Sequence, residues 1–419
     1  MSKKDALALL RLLAAALSFF AIPALAALSI SSDFENGSAR VLALDDTGQT
    51  VRISPAGDGS RGWPNWWFFR VDGIDPSKPL TVEVEALEAF VPRMSRPGAN
   101  KVLLNPNWTL PARAAFSTDG KTWKQTSAGQ RRGSTVAYRL DAPSPRLWLA
   151  WGPPFTPTDA AAFVDRMVRA HPFASGFTLA TSIEGRSVSA LRISENGAPS
   201  DSRPAIWVVA REHAWECGST WVGIGLAEWL ASSDPAALRL RRNAEFFFVP
   251  IMDVDHVATG DGGKDALPQD QNRDWSESPH WPEVAAAQQR IRRLALEGRM
   301  AVFLDLHNPQ GTATQETFYV QHSPYLGAPA VGGQERFLEI ARQAFGPIRL
   351  IDEQPSDPEN VTIWRRIAAP WVSENGNPGT LSLTIETPWN TPDGTIDGYR
   401  RAGEKLGLAL AGFIGSRSQ

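Results

Sequence analysis

The chain of 419 residues has a single cysteine, Cys217, and only four tyrosines and six histidines. One cysteine cannot form an intrachain disulfide, so the hydrophobic core must hold the fold together. The formal net charge is only −3, which gives no sign of a nucleic-acid partner or an anionic membrane surface. No G-x-S-x-G sequence occurs, and the glycine loop at 260–264 lacks the spacing of a phosphate-binding loop. These absences argue against a serine hydrolase and a phosphate cradle.

The first 26 residues have the composition of an export signal. Lys3-Lys4 precedes an apolar stretch from Ala6 to Leu25, and Ala24-Leu25-Ala26 supplies small residues at the positions that a signal peptidase reads. We predict cleavage after Ala26, a periplasmic or secreted protein, and no membrane contact after cleavage. An uncleaved anchor is the alternative, but Arg11 leaves the apolar core short for a membrane span.

From residue 27 to residue 152 the sequence predicts an antiparallel β-sandwich domain. Short segments of alternating polarity are separated by turn sequences such as Asp45-Asp46-Thr47-Gly48 and Asp119-Gly120. No helical stretch intervenes, which favours an all-β arrangement. The predicted strands are 38–44, 66–71, 80–84, 114–117 and 147–151. Because this part has no histidine and no clustered nucleophile, we expect it to support a site located elsewhere.

The rest of the chain, 153–419, is predicted to be an α/β domain with an open, mostly parallel mixed sheet covered by helices. The proline-rich segment 152–157 is the expected linker, and Thr158 is the expected cap of a helix that runs to about Ala170. Strand and helix patterns then alternate, which is typical of a parallel sheet. The predicted strands are 188–193, 205–210, 246–249, 301–306 and 381–385, and the predicted helices include 218–230 and 282–297.

Three of these apolar strands end in residues that can bind a metal. Strand 205–210 leads into His213 and Glu216, strand 301–306 into His307, and strand 381–385 into Glu386. Residues three apart on a helical turn point the same way, so His213 and Glu216 can converge. In an open α/β sheet, sites lie beyond the carboxyl ends of the strands. We therefore expect the four side chains to meet at one sheet edge, although an isolated HxxE sequence is more often a solvated turn.

The chemistry of these residue types suggests their roles. Two imidazoles and one carboxylate hold a catalytic zinc ion and leave a fourth position for water. We therefore predict that His213, Glu216 and His307 bind one Zn²⁺. A second carboxylate is needed to take a proton from the water and pass it to the leaving amine, and we predict Glu386 as this general base.

The segment Gln271-Asn272-Arg273-Asp274-Trp275 lies between the metal motifs. A guanidinium can bind a carboxylate through two parallel hydrogen bonds, which a lysine cannot do. Arg273 with Asn272 therefore suits a peptide substrate that ends in a free carboxylate, although an Asn-Arg pair alone is more typical of a solvated loop. Cys217, directly after Glu216, invites interpretation as a further ligand, but a small buried residue is the better interpretation.

Taken in order, these motifs resemble those of the zinc metallocarboxypeptidases. The resemblance rests on His213-x-x-Glu216, Asn272-Arg273, Asp305-Leu306-His307 and Thr384-Ile385-Glu386, and it covers nearly all of the chain after residue 26. The chain is most similar to the cytosolic-carboxypeptidase-like subgroup, in which a β-sandwich precedes the catalytic domain. The segments 67–71 and 152–156 look like landmarks of that subgroup. The resemblance implies a carboxypeptidase-like fold and a zinc-dependent carboxypeptidase.

The chain departs from the family pattern at two places. The family usually has an arginine before Asn-Arg that stabilises the oxyanion, but no arginine occurs between residues 243 and 272. Lys264 could deliver that charge, or it could lie on a mobile surface loop. The family also tends to place a tyrosine before the catalytic glutamate, where Trp364 and Trp371 stand here. These departures bear on substrate range and on peptidase activity itself.

We therefore predict a metallocarboxypeptidase that removes residues from the C-termini of peptides. A zinc amidase or deacylase acting on non-peptide amides is one alternative. A binding protein with a vestigial catalytic domain is another, and it would be indifferent to zinc and to the substitution Glu386→Gln. The sequence does not indicate the oligomeric state.

Overall fold

The computed structural model describes residues 27–92, 101–141, 144–195, 202–352 and 358–417. The predicted export signal, residues 1–26, lies outside these ranges. Within them, no helix combines the length and the apolar character that a membrane crossing requires.

The first part of the chain forms two five-stranded sheets and a small two-stranded ribbon. Its strands are β1 Ser29–Ser31, β2 Arg40–Asp45, β3 Thr50–Ser54, β4 Phe68–Asp72, β5 Pro79–Glu85, β6 Phe90–Val91, β7 Val102–Leu103, β8 Ala115–Ser117, β9 Lys124–Gln125, β10 Gln130–Arg132, β11 Thr135–Asp141 and β12 Arg146–Ala150. One sheet has the order β1-β4-β12-β8-β9 and the other the order β10-β11-β5-β3-β2. Every pairing is antiparallel except that of β3 with β5.

Alternating polarity explains how these strands pack. In β5 the residues Leu80, Val82 and Val84 are fully buried and their neighbours are half-buried, as expected for a strand with one face on a core. Trp67, beside one sheet, packs on Tyr138 of the other, with ring centroids 6.2 Å apart. The two sheets therefore share a core, which confirms the predicted sandwich architecture apart from the parallel pair.

The second part of the chain forms an eight-stranded mixed sheet flanked by helices. Its strands are β13 Ala174–Thr181, β14 Ser187–Ile193, β15 Ala205–Ala210, β16 Glu245–Val249, β17 Met300–His307, β18 Thr317–Val320, β19 Arg349–Asp352 and β20 Leu381–Glu386. Its helices are α1 Pro157–Ala170, α2 Cys217–Ala231, α3 Pro235–Asn243, α4 Val254–Thr259, α5 Pro282–Leu296, α6 Ala328–Phe345, α7 Pro358–Trp364, α8 Ala368–Asn375 and α9 Ile396–Arg417.

The sheet order is β13-β14-β16-β15-β17-β20-β18-β19, with β16, β15, β17 and β20 mutually parallel at its centre. β15 and β17 are buried along their whole length, because helices cover both faces of a parallel sheet. This arrangement is the predicted α/β class with a mixed sheet. β13, β18 and β19 lie outside the predicted strands, since their short or weakly alternating sequences carry a weaker strand signal.

The cap of α1 differs from the predicted one. Thr156, rather than Thr158, is the N-cap: its hydroxyl accepts from the Asp159 N–H, and the Asp159 carboxylate accepts from the Thr156 N–H. This reciprocal pair is a capping box, and Pro157 fits the first helical position because it has no N–H to leave unpaired. β12 and α1 thus flank the predicted linker, and the boundary at residues 152/153 stays a prediction.

Candidate active site

Adjacent parallel strands bring the predicted site residues to one edge of the large sheet. β15 lies beside β17, and β17 beside β20. His307 and Glu386 are the last residues of their strands and are direct partners in the register of the β17–β20 pair. The His213–Glu216 turn begins three residues after β15 ends. The strand ends therefore deliver both histidines and both glutamates to the same edge.

The turn after β15 is held by a buried arginine. Arg211 adopts a left-handed backbone conformation with φ +62°, which is uncommon for a residue with a side chain. Its guanidinium is fully buried and donates two hydrogen bonds to the Ala214 carbonyl, at 2.5 and 2.8 Å. The Glu216 N–H donates to the His213 carbonyl, and Glu216 is the N-cap of α2. The two side chains therefore converge through a tight turn rather than through the predicted helical turn.

The three predicted ligands come together. Nδ1 of His213 lies 2.9 Å from Oε1 of Glu216, and Nδ1 of His307 lies 2.6 Å from Oε2 of the same carboxylate. All three side chains are buried, and their ligand atoms lie within 4.8 Å of one another. Two imidazole nitrogens and one carboxylate form the donor set of a catalytic zinc site with an open position. The residues present therefore fit a zinc ion.

The other nitrogen of each imidazole faces a carboxylate. Nε2 of His213 lies 3.3 Å from Oδ1 of Asp270, and Nε2 of His307 lies 2.8 Å from Oδ1 of Asp305. Such partners fix the orientation of a metal-binding imidazole and increase its basicity. Neither aspartate was predicted as a site residue. For Asp305 a signal existed: residues two apart on a strand face the same side, and a carboxylate within a buried strand needs a partner.

Two buried carboxyl groups of the site have pKa values shifted in opposite directions. Burial opposes ionisation of Glu216, but His307 and His213 hold the pKa of this carboxyl well below its usual range. Burial, reinforced by Asp305, raises the pKa of Glu212 well above its usual range. These pKa shifts favour the charged form of Glu216, which suits its predicted role as a metal ligand, and the neutral form of Glu212.

Glu212, Asp305 and His307 form a second group with ligand atoms within 4.8 Å of one another. Oε1 of Glu212 accepts a hydrogen bond of 2.7 Å from the Trp275 indole. Because burial favours the neutral form of Glu212, and because Asp305 contacts the distal nitrogen of His307, we interpret this group as support for the first.

Asn272 lies behind His307. Its Nδ2 donates to Oδ2 of Asp305 at 3.0 Å and lies 2.9 Å from Nε2 of His307, while its Oδ1 accepts from the Ala368 N–H. Both ends of the amide are engaged by the protein, which favours a role in orienting His307. Its predicted contact with a substrate carboxylate stays a prediction.

Arg273 is half-buried and retains unused hydrogen-bonding capacity. Its Nη1 donates to the Asn272 carbonyl at 2.7 Å, and its buried Nε has no hydrogen-bond partner among the described residues. An unsatisfied buried donor is costly unless a ligand completes it. The geometry is therefore compatible with the predicted carboxylate contact.

Lys264 lies near the turn of residues 211–216 that carries His213 and Glu216, which we call the metal turn. Gly263, with φ +75°, packs so closely on this turn that a Cβ there would lie 2.7 Å from the Ala214 backbone nitrogen. Lys264 is one of the charges that lower the pKa of Asp270, which burial alone would raise. The loop that carries Gly263 and Lys264 therefore packs against the predicted metal-binding residues. The role of Lys264 as a positive charge in catalysis stays a prediction.

The remaining candidates lie in the core. Cys217 is buried and belongs to neither group of metal-binding side chains found in the described ranges, in agreement with its interpretation as a packing residue. Trp371 packs on Trp275 at 5.5 Å between ring centroids, and Trp364 packs on Tyr325 at 5.1 Å. Both tryptophans that stand where the family has its tyrosine are therefore buried packing residues.

Two family models match the chain. The model described as zinc carboxypeptidase matches residues 160–291, and the model of the cytosolic carboxypeptidase N-terminal domain matches residues 30–151. The first match includes His213, Glu216 and Arg273 and ends before His307 and Glu386.

Among curated relatives, an uncharacterised protein of Zymomonas mobilis is 26% identical over 66% of this chain and 68% of its own length. Human cytosolic carboxypeptidase 1 is 24% identical over 67% of this chain but only 25% of its own length. The chain therefore spans about a quarter of the human relative that it matches.

Solved structures share the fold. A metallo-carboxypeptidase from Burkholderia cenocepacia superposes with a TM-score of 0.76 at 21% identity, over 94% of this chain and 99% of that one. A metallo-carboxypeptidase from Pseudomonas aeruginosa, in complex with (2-guanidinoethylmercapto)succinic acid, has a TM-score of 0.72 at 22% identity, over 91% and 98%. These structures show a shared fold, and the two family models place the chain in the zinc carboxypeptidase family, with the N-terminal domain of the cytosolic carboxypeptidases.

Proposed function

We propose that this protein is a zinc-dependent carboxypeptidase that hydrolyses the C-terminal peptide bond of peptides with a free terminal carboxylate. The observation that carries the proposal is the convergence of His213, Glu216 and His307 within 4.8 Å, beside the strand that ends at Glu386. A buried donor set with an adjacent carboxylate matches what a metal-assisted hydrolase needs.

The proposed division of work assigns one step to each part of the site. A single zinc ion held by His213, Glu216 and His307 would polarise the scissile carbonyl and acidify a water molecule. Glu386 takes the proton of the attacking water and passes it to the departing amine. Asp270 and Asp305 hold the two imidazoles in the orientation that this requires.

The cationic side chains Arg273 and Lys264 interact with the substrate. Arg273 binds the terminal carboxylate, because its guanidinium has an unpaired buried donor and can form two parallel hydrogen bonds. Lys264 supplies positive charge to the carbonyl oxygen in the transition state, the role for which the family uses an arginine. Such charge is effective in a water-excluded site.

We also propose that the protein is exported, with residues 1–26 removed. The support is the sequence of that segment alone, and curated relatives are named cytosolic carboxypeptidases. N-terminal sequencing of the protein recovered from each cell fraction tests this proposal. A mature chain that begins at Ala27 in the periplasm or medium is expected, and an intact N-terminus in the cytoplasm would contradict it.

The central experiment combines metal analysis with activity. We expect about one zinc per chain, and hydrolysis that a chelator abolishes and added zinc restores. Glu386→Gln should lower kcat by about 10²–10⁴ while zinc stays bound, since only the proton acceptor is lost. Glu374→Gln, at an exposed glutamate of α8, is the matched control. Zinc-loaded protein that is inactive on a peptide library would contradict the proposal and favour the binding protein.

A second experiment separates the carboxypeptidase from an amidase or deacylase. Peptides with a free C-terminus should be cleaved, and the same peptides with an amidated C-terminus should not. Arg273→Lys should raise KM for the free-carboxylate peptide by about tenfold or more, because a lysine cannot supply the bidentate contact. Equal cleavage of both peptides would instead favour the amidase.

A further inference from the structure

The loop that carries Lys264 is held by a segment from the other part of the chain. We define the clamp segment as residues 58–65, between β3 and β4, and the lysine loop as residues 260–267, after α4. Three backbone hydrogen bonds join them: Trp63 N–H to the Lys264 carbonyl, Gly263 N–H to the Arg61 carbonyl, and Leu267 N–H to the Ser60 carbonyl, at 2.7–3.1 Å.

Side chains reinforce this contact. Nε of Arg61 lies 2.6 Å from Oδ2 of Asp261, a carboxylate that is almost buried. The Trp63 indole N–H donates to Oδ2 of Asp265 at 3.0 Å. The lysine loop in turn contacts the metal turn, since the Gly262 carbonyl accepts from the Trp215 N–H at 3.2 Å. The sandwich thus contacts the metal turn through this loop, in addition to the packing of its rings on Trp215.

The ammonium of Lys264 has an unusual environment. Its Nζ lies 5.4 Å from the centroid of the Trp63 ring, within cation–π range. Lys264 is half-buried, and within the described ranges its ammonium forms no ion pair or side-chain hydrogen bond. A cation held on an aromatic face, with no carboxylate in direct ion-pair contact among the described residues, is available to negative charge on a ligand. The indole fixes its position without neutralising it.

We propose that Trp63, in the N-terminal sandwich, is a positioning residue for catalysis: its indole face holds the Lys264 ammonium at the edge of the metal site. This inference rests on the proposed function, in which Lys264 stabilises the oxygen of the scissile carbonyl. The catalytic site is then incomplete without the sandwich, because the sandwich supplies the indole face that positions Lys264.

A purely structural role for Trp63 is the competing explanation. Trp63 packs on Trp108 at 5.1 Å, and Trp108 packs on Trp215 of the metal turn at 5.4 Å. A change at Trp63 could therefore disturb the metal turn directly. The experiment must distinguish an effect that passes through Lys264 from one that passes through this row of rings.

A double-mutant cycle in the full zinc-loaded chain makes this distinction. Trp63→Leu removes the aromatic face, and Trp63→Phe keeps a face but loses the bond to Asp265. We expect Trp63→Leu to lower kcat by roughly threefold to thirtyfold, the factor that a cation–π contact supplies, with little change in KM. Trp63→Phe should retain most of the activity. In a Lys264→Met background, Trp63→Leu should cause no further loss.

A second measurement does not depend on turnover. Reductive methylation followed by peptide mass spectrometry reports how accessible the Lys264 amine is. Trp63→Leu should increase labelling of Lys264 several-fold and leave zinc content unchanged. Trp148→Leu is the matched control, because Trp148 is also half-buried in the sandwich and its ring faces Arg146 at 5.9 Å instead of a lysine of the site.

The proposal is overturned by any of three results: an equal loss of activity with and without Lys264, an equal loss from Trp63→Leu and Trp63→Phe, or unchanged labelling of Lys264. If the wild-type protein cleaves no peptide, the proposed function fails, and the labelling result still decides whether Trp63 holds the lysine.

Discussion

The site has two halves that are built in different ways. The strand-end half consists of His213, Glu216, His307 and Glu386, which lie at the ends of β17 and β20 or shortly after the end of β15. The loop half consists of Lys264, Asn272 and Arg273, which lie in the connection between α4 and α5, the last two in a short 3-10 helix, Gln271–Arg273. The strand-end half is positioned by the register of one sheet, whereas contacts distant in sequence position the loop half.

This difference indicates where each half is vulnerable. Strand ends in a buried parallel sheet are fixed by ladder hydrogen bonds, so a substitution there removes chemistry without moving the backbone. Residues in the loop half depend on the clamp segment, on a glycine at positive φ and on buried side chains around Gln271. A substitution there is expected to move charges rather than to delete ligands. Substitutions in each half can test this comparison.

The largest effect is expected from Glu216→Gln in the strand-end half. The substitution removes the charge of the only carboxylate among the three predicted ligands, and it replaces one of the two oxygens that face the imidazoles with an NH2 group. We expect zinc to be lost and kcat/KM to fall by more than about 10³, because the metal contributes several kcal/mol to the transition state. Zinc analysis and peptide assays check this prediction, with Glu374→Gln as the control. Retention of one zinc per chain would exclude Glu216 as a ligand.

A smaller effect, on zinc affinity, is expected from Asp305→Asn. Asp305 contacts the predicted ligand His307 and is not itself a predicted ligand. The aspartate lies 2.8 Å from Nε2 of His307 and accepts from Asn272. Loss of such a carboxylate partner should weaken zinc binding by about 10–100-fold. Competition with a chelator of known affinity measures this change, and Asp165→Asn on the exposed face of α1 is the control. Unchanged zinc affinity would show that Asp305 has no orienting role.

Gly263→Ala tests the loop half. Residue 263 has φ +75°, and an added Cβ would lie 2.4 Å from the Asp253 carboxylate and 2.7 Å from the Ala214 nitrogen. Backbone strain and the clash together should lower the free energy of unfolding by about 2–5 kcal/mol. Gly298→Ala is the control, since that glycine has φ +71° but no atom near the added Cβ.

Calorimetry on both glycine variants separates strain from contact. The control should lose only the strain component, about 1–3 kcal/mol. An equal loss in the two variants would mean that the close approach of the loop to the metal turn contributes nothing.

Much of the strand-end half could be predicted from the sequence. A run of six apolar residues such as 205–210 predicts a buried strand, and the structure has that strand with the same bounds. Once three such strands are assigned to one parallel sheet, the residues that follow them must share an edge. Asp305 was within reach of the same reasoning, because it precedes His307 by two residues on a strand.

The loop half could not be predicted to the same degree. Neither Trp63 nor Arg61 carries a local signal that it contacts residues 261–265, since about 200 positions separate the partners. Propensity and periodicity describe neighbours in sequence, whereas these contacts arise only after the two parts of the chain have packed.

The smallest effect on turnover is expected from Glu283→Gln, beneath the loop half. Glu283 is buried in α5, its Oε1 accepts from the Gln271 amide, and burial raises the pKa of its carboxyl to about 8. Between about pH 4.5 and pH 8 the unfolded chain loses this proton while the folded chain keeps it, so the wild type should lose stability as the pH rises. Glutamine cannot ionise, so the variant should be more stable than the wild type at pH 8.5, by about 1–3 kcal/mol, and similar at pH 4.5.

Thermal unfolding at the two pH values checks this, with Glu335→Gln at an exposed position of α6 as the control. A stability difference between variant and wild type that does not grow with pH would mean that Glu283 is ionised in the folded protein, and that the loop half is anchored by a charge instead of a neutral hydrogen bond.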